Sequence, residues 1–345
     1  MGPSQQKAHS KIQERHMNTS EDYFELNTFF KKNDFSKFFN SSILVTGGTG
    51  IIGFSLLYLL NKIGFKNLHC LTRTKPSTHH LIKEVTYHEV DLRKSKLLKN
   101  SIPDFDFIIH SAGYAQPNKF LMDPLGVFNI NVDATRDLIY KCKKSFSFVS
   151  TSEIYSGNFD KLYESSSGMT NPQHKRACYI ESKRSGEFLT SAISSELNID
   201  SKIFRVSTAY GPGFSINDNR VITDFIRNAI IKKNINIKAG ANQTRQVNYS
   251  FDAAQKMVLA IFKGQNNIYN ISGTNKITIA EIASKIADYT NSSYSISEQD
   301  DDTGAPLIVD IVDKNFIEEF CFNINTSFEN IIKNSVIWFK KINSI

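Results

Sequence analysis

The chain has 345 residues, 40% of them hydrophobic, with a formal charge of +7 and a pI near 9.0. That supports one large domain, or a domain with a smaller lobe, and no apolar run approaches the roughly 20 residues that span a bilayer. Without a charged-then-apolar leader, the expected compartment is the cytoplasm, with no membrane partner. The lysines are spread along the chain with no aromatic-basic motif, so no nucleic acid is expected and anionic small substrates suit the charge. Cys70, Cys142, Cys178 and Cys321 are scattered without CxxC spacing, which predicts buried thiols and neither a metal site nor a disulfide framework.

Residues 1–16 read as a tag or disordered tail, with Met17 as the native start. Residues 17–40 form a helical extension in which Tyr23 to Phe39 carries Phe and Lys at helix-like spacing. Next comes Ser42-Ile-Leu-Val-Thr, running into Gly47-Gly-Thr-Gly50-Ile51-Ile52-Gly53 and the apolar pattern from Phe54 to Leu60. Strand, glycine turn and helix in that order are the setting of a dinucleotide site. Two of the glycines let backbone approach a pyrophosphate, the third lets the helix pack on its strand, and the phosphate rests on the helix N-terminus.

Further strands are predicted at Asn67–Thr72, Val85–Val90, Phe105–Ile109, Phe146–Ser150 and Lys202–Val206, with helical patterns between most of them. This alternation predicts an α/β fold, a doubly wound parallel (Rossmann) sheet over 41–205. After Gly211-Pro-Gly213 the rhythm changes. Residues 206–345 read as mainly a smaller mixed α/β substrate lobe, partly interleaved with the first. Its helices fall near Val221–Ile231, Ile277–Tyr289 and Phe328–Lys340, and Glu298–Asp302 reads as a solvated acidic loop.

The second strand ends in Leu71-Thr-Arg73, where an acidic residue usually holds the ribose. An arginine there pairs instead with a 2′-phosphate, which tilts the cofactor choice toward NADP over NAD. Asp91, followed by Leu92, stands where a carboxylate could accept from the adenine amino group. Ser111, Ala112 and Gly113 close the fourth strand with small residues that admit a cofactor.

Thr151 and Glu153 end the fifth strand, and Tyr179 and Lys183 open the next helix, so in a parallel sheet all four fall at its carboxyl edge. Tyr179 and Lys183 are four apart and share a helix face. A free phenol titrates near pH 10, and a neighbouring ammonium favours its phenolate, so Lys183 would make Tyr179 usable as a general base. Thr151 can bond the same substrate hydroxyl.

With these residues the chain resembles the extended short-chain dehydrogenase/reductase family, in its nucleotide-sugar epimerase, dehydratase and decarboxylase branch. The resemblance runs from about Ile43 to the C-terminus. It is carried by Thr46–Gly53, Ser150-Thr-Ser152-Glu-Ile-Tyr155, Tyr179-Ile-Glu-Ser-Lys-Arg184, Arg205-Val-Ser-Thr208-Ala-Tyr-Gly-Pro-Gly213, and Thr244-Arg245-Gln-Val-Asn-Tyr249 followed by Asp252. It implies a tightly held NAD or NADP regenerated each turnover, a nucleotide-diphospho-sugar in the C-terminal lobe, and a homodimer formed by two helices of the first domain. Arg245 matches the family's diphosphate-contacting arginine, and Ser152, Thr208 and Arg220 are further substrate-binding candidates. Surface-polysaccharide synthesis is the pathway the family suggests.

In such enzymes Tyr179 would take the C4 hydroxyl proton and a 4-keto sugar would form. Glu153 then matters, because C4 epimerases usually lack a carboxylate there while dehydratases and decarboxylases carry one. The implied function is a lyase, decarboxylase or 4,6-dehydratase, with Thr151, Glu153, Tyr179 and Lys183 as catalytic residues. The loop from Ala115 to Pro124 looks more like the decarboxylase pattern, whereas Arg73, Thr208 in place of an Asn and Ser156 in place of a Gly depart from it. A C4 epimerase is the second enzyme reading, and a cofactor-binding regulator without turnover is the reading from another class.

Overall fold

The computed structural model describes residues 26–97, 101–158, 160–238, 240–297 and 310–344. The tail at 1–16 and the acidic run at 298–302 lie outside them. Of the helix expected over Tyr23 to Phe39, the described part is a helical turn at Thr28–Lys31 and a 3₁₀ turn at Ser36–Phe38. The break falls where the Asp34 side chain accepts from the Ser36 amide at 2.8 Å, a local bond that competes with helix continuation. Phe30 and Phe35 on either side of it are buried, and Phe35 meets Phe262 edge-on at 6.1 Å.

Seven strands form one parallel sheet. In chain order they are β1 (Ser42–Thr46), β2 (Asn67–Thr72), β3 (Val85–Glu89), β4 (Phe105–His110), β5 (Cys142–Thr151), β6 (Asp200–Val206) and, after three strands of smaller sheets, β10 (Ile268–Ile271). Their spatial order is β10-β6-β5-β4-β1-β2-β3. Starting at the centre, the chain runs outward to one edge and then crosses back, so β1 and β4 flank the switch point where cofactors bind in such sheets. The predicted strands are all present. β5 begins four residues earlier than its apolar run, because Cys142 pairs with Phe105 ahead of a register shift.

Helix α1 (Ile51–Lys62) packs on one face of the sheet against α7 (Ser250–Lys263) in a core that includes Leu56, Leu59, Phe204, Met257 and Leu259. The other face carries α4 (Ala134–Ile139) and α5 (Ala177–Leu197), which cover Leu44, Ile108, Phe146 and Phe148. Between β4 and α4 lie two short helices, α2 (Pro117–Met122) and α3 (Pro124–Phe128), and a π-helical turn at Asn129–Asp133.

The smaller sheets are β7 (Thr208–Tyr210), β9 (Thr244–Tyr249) and β11 (Asn275–Thr278), joined in the order β11-β9-β7, and the pair β8 (Asn234–Ile237) with β12 (Ser293–Ile296). Helices α6 (Val221–Lys232), α8 (Ile279–Thr290) and α10 (Phe328–Asn343) enclose a second core around Trp338 and Phe339, and α9 (Lys314–Phe320) packs beside β10. The helix expected from Ile277 starts at Ile279 because Thr278 and Glu281 close a capping box, leaving Ile277 in β11. Since β10 returns to the edge of the large sheet, the C-terminal half of the chain completes the first core as well as building the second.

Candidate active site

β1 ends at Thr46, and the chain turns at Gly47 with φ +73°, a left-handed conformation that suits glycine. A Cβ at Gly53 would stand 2.3 Å from the Gly47 carbonyl oxygen, and one at Gly47 would stand 2.7 Å from the Ala112 Cα. The turn is therefore pressed between the start of α1 and the end of β4. Ser111 Oγ donates to the Thr46 carbonyl at 2.6 Å and the Ala112 amide donates to Thr46 Oγ1 at 3.1 Å, fixing that junction. Gly50 caps α1 without a side chain. The first amides of Ile51 and Ile52 thus open beside the turn, and this bare cradle fits a dinucleotide pyrophosphate.

At the end expected to hold adenosine, Arg73 donates to the Tyr114 hydroxyl at 3.2 Å. Asp91, read as a partner for the adenine amino group, spends both carboxylate oxygens on Arg93: Nε lies at 3.0 and 3.1 Å and Nη2 at 2.6 Å. That bond holds the Asp91 carboxyl below its ordinary range. Leu92 beside it is buried.

At the opposite end, β5 delivers Thr151 into a 3₁₀ turn over Ser152–Tyr155, and α5 delivers Tyr179 and Lys183 against it. All four expected catalytic residues are brought together here. Thr151 Oγ1 accepts from the Glu153 amide at 3.3 Å and is near enough to the Tyr179 phenol to favour its phenolate, and Tyr179 lies within electrostatic reach of Glu153, Arg176 and Arg220. Burial, followed by the Glu153 charge, pushes the Tyr179 phenol up to about 12, while Arg176 and Arg220 pull it down. Lys183 shares the helix face with Tyr179, but its Nζ donates to the Val149 carbonyl at 2.8 Å and lies 4.7 Å from the Phe148 ring. Burial lowers its ammonium to about 7, with Glu187 opposing. The simple expectation of a lysine pulling down its tyrosine therefore needs amending. Arg176 and Arg220 also favour the phenolate, and Lys183 Nζ is engaged by the sheet.

A second layer explains that placement. Glu187, one turn beyond Lys183, accepts from Ser150 Oγ at 2.5 Å and from three nitrogen–oxygen contacts with Arg205 between 2.8 and 3.2 Å. Arg205 also donates to the Tyr155 hydroxyl at 2.9 Å, which in turn donates to Asn270 Oδ1 at 2.7 Å. These groups tie β5, β6, α5 and β10 together below the reacting face. An arginine inside the apolar run Lys202-Ile-Phe-Arg-Val206 was a readable sign of such a partner, since a buried charge is kept only when paired.

Three further residues at the site escape a motif-based reading. Asn131 sits on the π-helical turn, fully buried, donating through Nδ2 to Ser182 Oγ at 2.9 Å, with its Oδ1 unpartnered. A Cβ on Gly113 would stand 3.5 Å from Lys183 Nζ and 3.7 Å from that Oδ1, so Asn131 and Lys183 converge where Gly113 closes β4. π-turns often mark functional positions, and no sequence period announces them. Phe120 stacks on Tyr179 at 4.9 Å with ring planes 3° apart, and Arg176 grips Glu153.

Among the substrate candidates, Arg220 reaches toward Tyr179 and Tyr210 while paired with Asp218, Nε to both oxygens at 3.1 Å. Arg245 acts on the same Tyr210 and donates to Gln243 Oε1 at 2.7 Å. Both arginines act electrostatically on Tyr210, and two such guanidinium groups suit a doubly charged diphosphate. Ser152 is buried in the 3₁₀ turn, and Thr208 begins β7 exposed. Among the described residues no three His, Cys, Asp or Glu side chains gather as they would around a metal ion.

Residues 43–272 match the family model described as the NAD dependent epimerase/dehydratase family. Over 261 residues the chain is 26% identical to UDP-glucuronic acid decarboxylase 1 of Arabidopsis thaliana, covering 74% of this chain but 59% of that relative. In fold it is similar to the UDP-glucose 4-epimerase of Thermotoga maritima, with a TM-score of 0.75 at 20% identity over 87% of this chain and 99% of the other. The dTDP-glucose 4,6-dehydratase DesIV of Streptomyces venezuelae, solved with NAD, gives a TM-score of 0.75 at 20% identity over 88% and 98%.

Proposed function

The chain belongs to the NAD-dependent epimerase/dehydratase family, and from that premise we propose that it is a lyase acting on a nucleotide-diphospho-sugar through a 4-keto intermediate. A UDP-uronate that loses carbon dioxide is the first substrate to test, in keeping with the decarboxylase among its relatives. The observation that carries the reading is a carboxylate, Glu153, within electrostatic reach of the Tyr179 hydroxyl.

NAD would be held by the turn at Gly47, Gly50 and Gly53 and the first amides of α1, and would supply the redox chemistry, accepting and returning a hydride. The chain's own residues move the protons. Tyr179, beside Thr151, accepts the proton of the C4 hydroxyl as that carbon becomes a ketone. The ketone acidifies what lies next to it. In a uronate, the bond from C5 to the carboxyl carbon breaks, carbon dioxide departs, and the bonding pair spreads over C5, C4 and the C4 oxygen. A proton must then arrive at C5, and the reading assigns Glu153, after taking one from solvent, to deliver it. In a hexose the same residue would take the C5 proton and pass it to the departing C6 hydroxyl, which leaves as water. Arg220 and Arg245 hold the diphosphate and keep the sugar in register.

One observation favours the epimerase as a second reading. Glu153 is engaged by Arg176, and an epimerase asks nothing of a carboxylate there. Glu153→Gln decides between them. Under the lyase reading the variant still reduces its bound cofactor on meeting substrate but forms the C5-protonated pentose from a uronate, or loses water from a hexose, far more slowly. A substitution without consequence for product formation favours the epimerase. We also propose a homodimer through α3 and α5, which pack together and expose Leu125 (77%), Phe128 (42%) and Phe188 (69%); sedimentation of the unsubstituted chain tests it.

A further inference from the structure

Arg176 stands one residue before α5, three residues ahead of Tyr179, and is 3% exposed. Its Nε donates to Glu153 Oε2 at 3.0 Å and its Nη2 donates to Oε1, so both carboxylate oxygens are gripped by one fork. The guanidinium lies 4.9 Å from the centroid of Phe120, and that ring is the one stacked on Tyr179. Phe120 itself is fully buried, and its carbonyl accepts from Cys178 Sγ at 3.7 Å, between the two residues it supports. Proton acceptor and carboxylate are therefore both fixed against a single aromatic ring.

We propose that Arg176 is the positioning residue that holds the Glu153 carboxylate in register with the Tyr179 hydroxyl, so that both act on one bound sugar. The inference rests on the lyase reading of Glu153. A glutamate at a strand end, with its side chain 21% exposed, has three rotatable bonds and would swing over several positions. Ordering such a side chain costs conformational entropy. A bidentate guanidinium fixes the plane of the carboxylate as well as its place, which a point-charge ammonium cannot do. Arg176 is held in turn by its ring contact and by the helix start, so the orientation is built before substrate arrives.

The pair has a second effect. A bare carboxylate near Tyr179 opposes formation of the phenolate, and Glu153 does push the phenol up while Arg176 pulls it down. With the fork in place, the site can keep a carboxylate beside its proton acceptor. Glu153 exchanges a proton with C5 from a fixed position, while Tyr179 exchanges one with the C4 oxygen.

The test uses the NAD-loaded chain with UDP-glucuronate, UDP-glucose, GDP-mannose and dTDP-glucose. Nicotinamide absorbance reports the first oxidation, and mass analysis of quenched samples reports loss of carbon dioxide or water. In Arg176→Gln the oxidation slows by no more than about tenfold, because the phenol loses one of its cations, product formation falls by about 10²-fold or more, and reduced cofactor accumulates with keto sugar. Arg176→Lys recovers little of this. Glu153→Gln gives the same pattern, and the double variant is no worse than either alone. Undiminished product formation in Arg176→Gln overturns the proposal, as does loss of both steps together with a lowered melting temperature. A substrate-free reading separates the clamp from the reaction. The Arg176 Nε–H signal in the ¹⁵N spectrum of the holoenzyme, assigned by its loss in Arg176→Lys, is slow to exchange and disappears into solvent exchange in Glu153→Gln. If no sugar in the panel is converted, the lyase reading fails, and persistence of that signal in Glu153→Gln overturns the clamp on its own.

Discussion

Tyr179 and Phe120 lie with ring centroids 4.9 Å apart and planes 3° from parallel, so the phenol proposed to accept the substrate proton is aimed by a residue of a different helix. Replacing Phe120 by Leu keeps apolar bulk and removes the stacked face. The stack contributes about 0.5–1.5 kcal/mol beyond area burial. The larger effect is on aim, since misplacing a reacting group by about 1 Å can cost 10²-fold. The expected outcome is a stability loss near 1 kcal/mol by urea unfolding and a far larger drop in kcat than that loss explains. Unchanged kcat with reduced stability would mean the ring serves the core alone.

Tyr179→Phe removes the hydroxyl and leaves the stack. Proton transfer by a positioned side chain contributes about 10²–10⁴-fold. Turnover is expected to fall by that much, while NAD affinity, measured by calorimetry, changes little. A variant that keeps its turnover would mean that the chain moves the C4 proton through another group.

Glu187→Gln breaks the buried pair with Arg205 and leaves that guanidinium uncompensated among β5, β6 and α5. Breaking such a pair by removing one partner costs about 3–5 kcal/mol. The urea midpoint should fall accordingly, and Lys183, which Glu187 supports electrostatically, should hold its charge less well. A loss under about 1 kcal/mol would place the pair in the weak class of surface ion pairs.

His110 is fully buried at the end of β4, with Nε2 3.0 Å from the Ile130 carbonyl and Nδ1 2.7 Å from Thr46 Oγ1. A carbonyl only accepts, so Nε2 carries the proton and Nδ1 receives the Thr46 hydroxyl. Burial, with the Lys183 charge, pushes the imidazole down to about 3. Unfolded, the same ring titrates near 6.5, so between those values the unfolded chain binds a proton that the native chain refuses. Stability is full above pH 6.5 and declines as pH falls toward 3, by about 1.4 kcal/mol per pH unit from this group. His110→Gln should flatten the slope of unfolding free energy against pH by one proton between pH 6 and 4. An unchanged slope would show that other groups govern acid unfolding.

Much of this was legible from spacing. The glycine triplet between an apolar strand and an apolar helix located the cofactor cradle. Thr151, Glu153, Tyr179 and Lys183 were legible because a parallel sheet sends strand ends and helix starts to one edge. What the sequence could not give was which partner each group would take. Tyr179 and Lys183 at i and i+4 share a face, yet the spacing does not say that Lys183 turns to the Val149 carbonyl while arginines face the phenol. Asp91 and Arg93, two residues apart, neutralise each other through a turn that no periodicity marks. Phe120 and Asn131 belong to short irregular helices whose packing is decided by α5, far along the chain.

Arg73 remains the residue to examine for cofactor choice, as its side chain reaches the Tyr114 hydroxyl at the expected adenosine end. Hydrogen bonds to charged groups contribute about 1.5–3 kcal/mol, or roughly 10-fold to 100-fold in affinity. Arg73→Ala should weaken NADP by that factor and leave NAD nearly unchanged, as read by fluorescence titration of the apo chain. Equal effects on both would remove Arg73 from any contact with a 2′-phosphate.

The most direct measurement is mass spectrometry of UDP-glucuronate, UDP-glucose, GDP-mannose and dTDP-glucose after incubation with the NAD-loaded chain. The account predicts a nucleotide sugar lighter by carbon dioxide from the uronate, or lighter by water from a hexose, and neither change with Tyr179→Phe. A product of unchanged mass and altered retention time would contradict the lyase and leave Glu153 with no part in the chemistry.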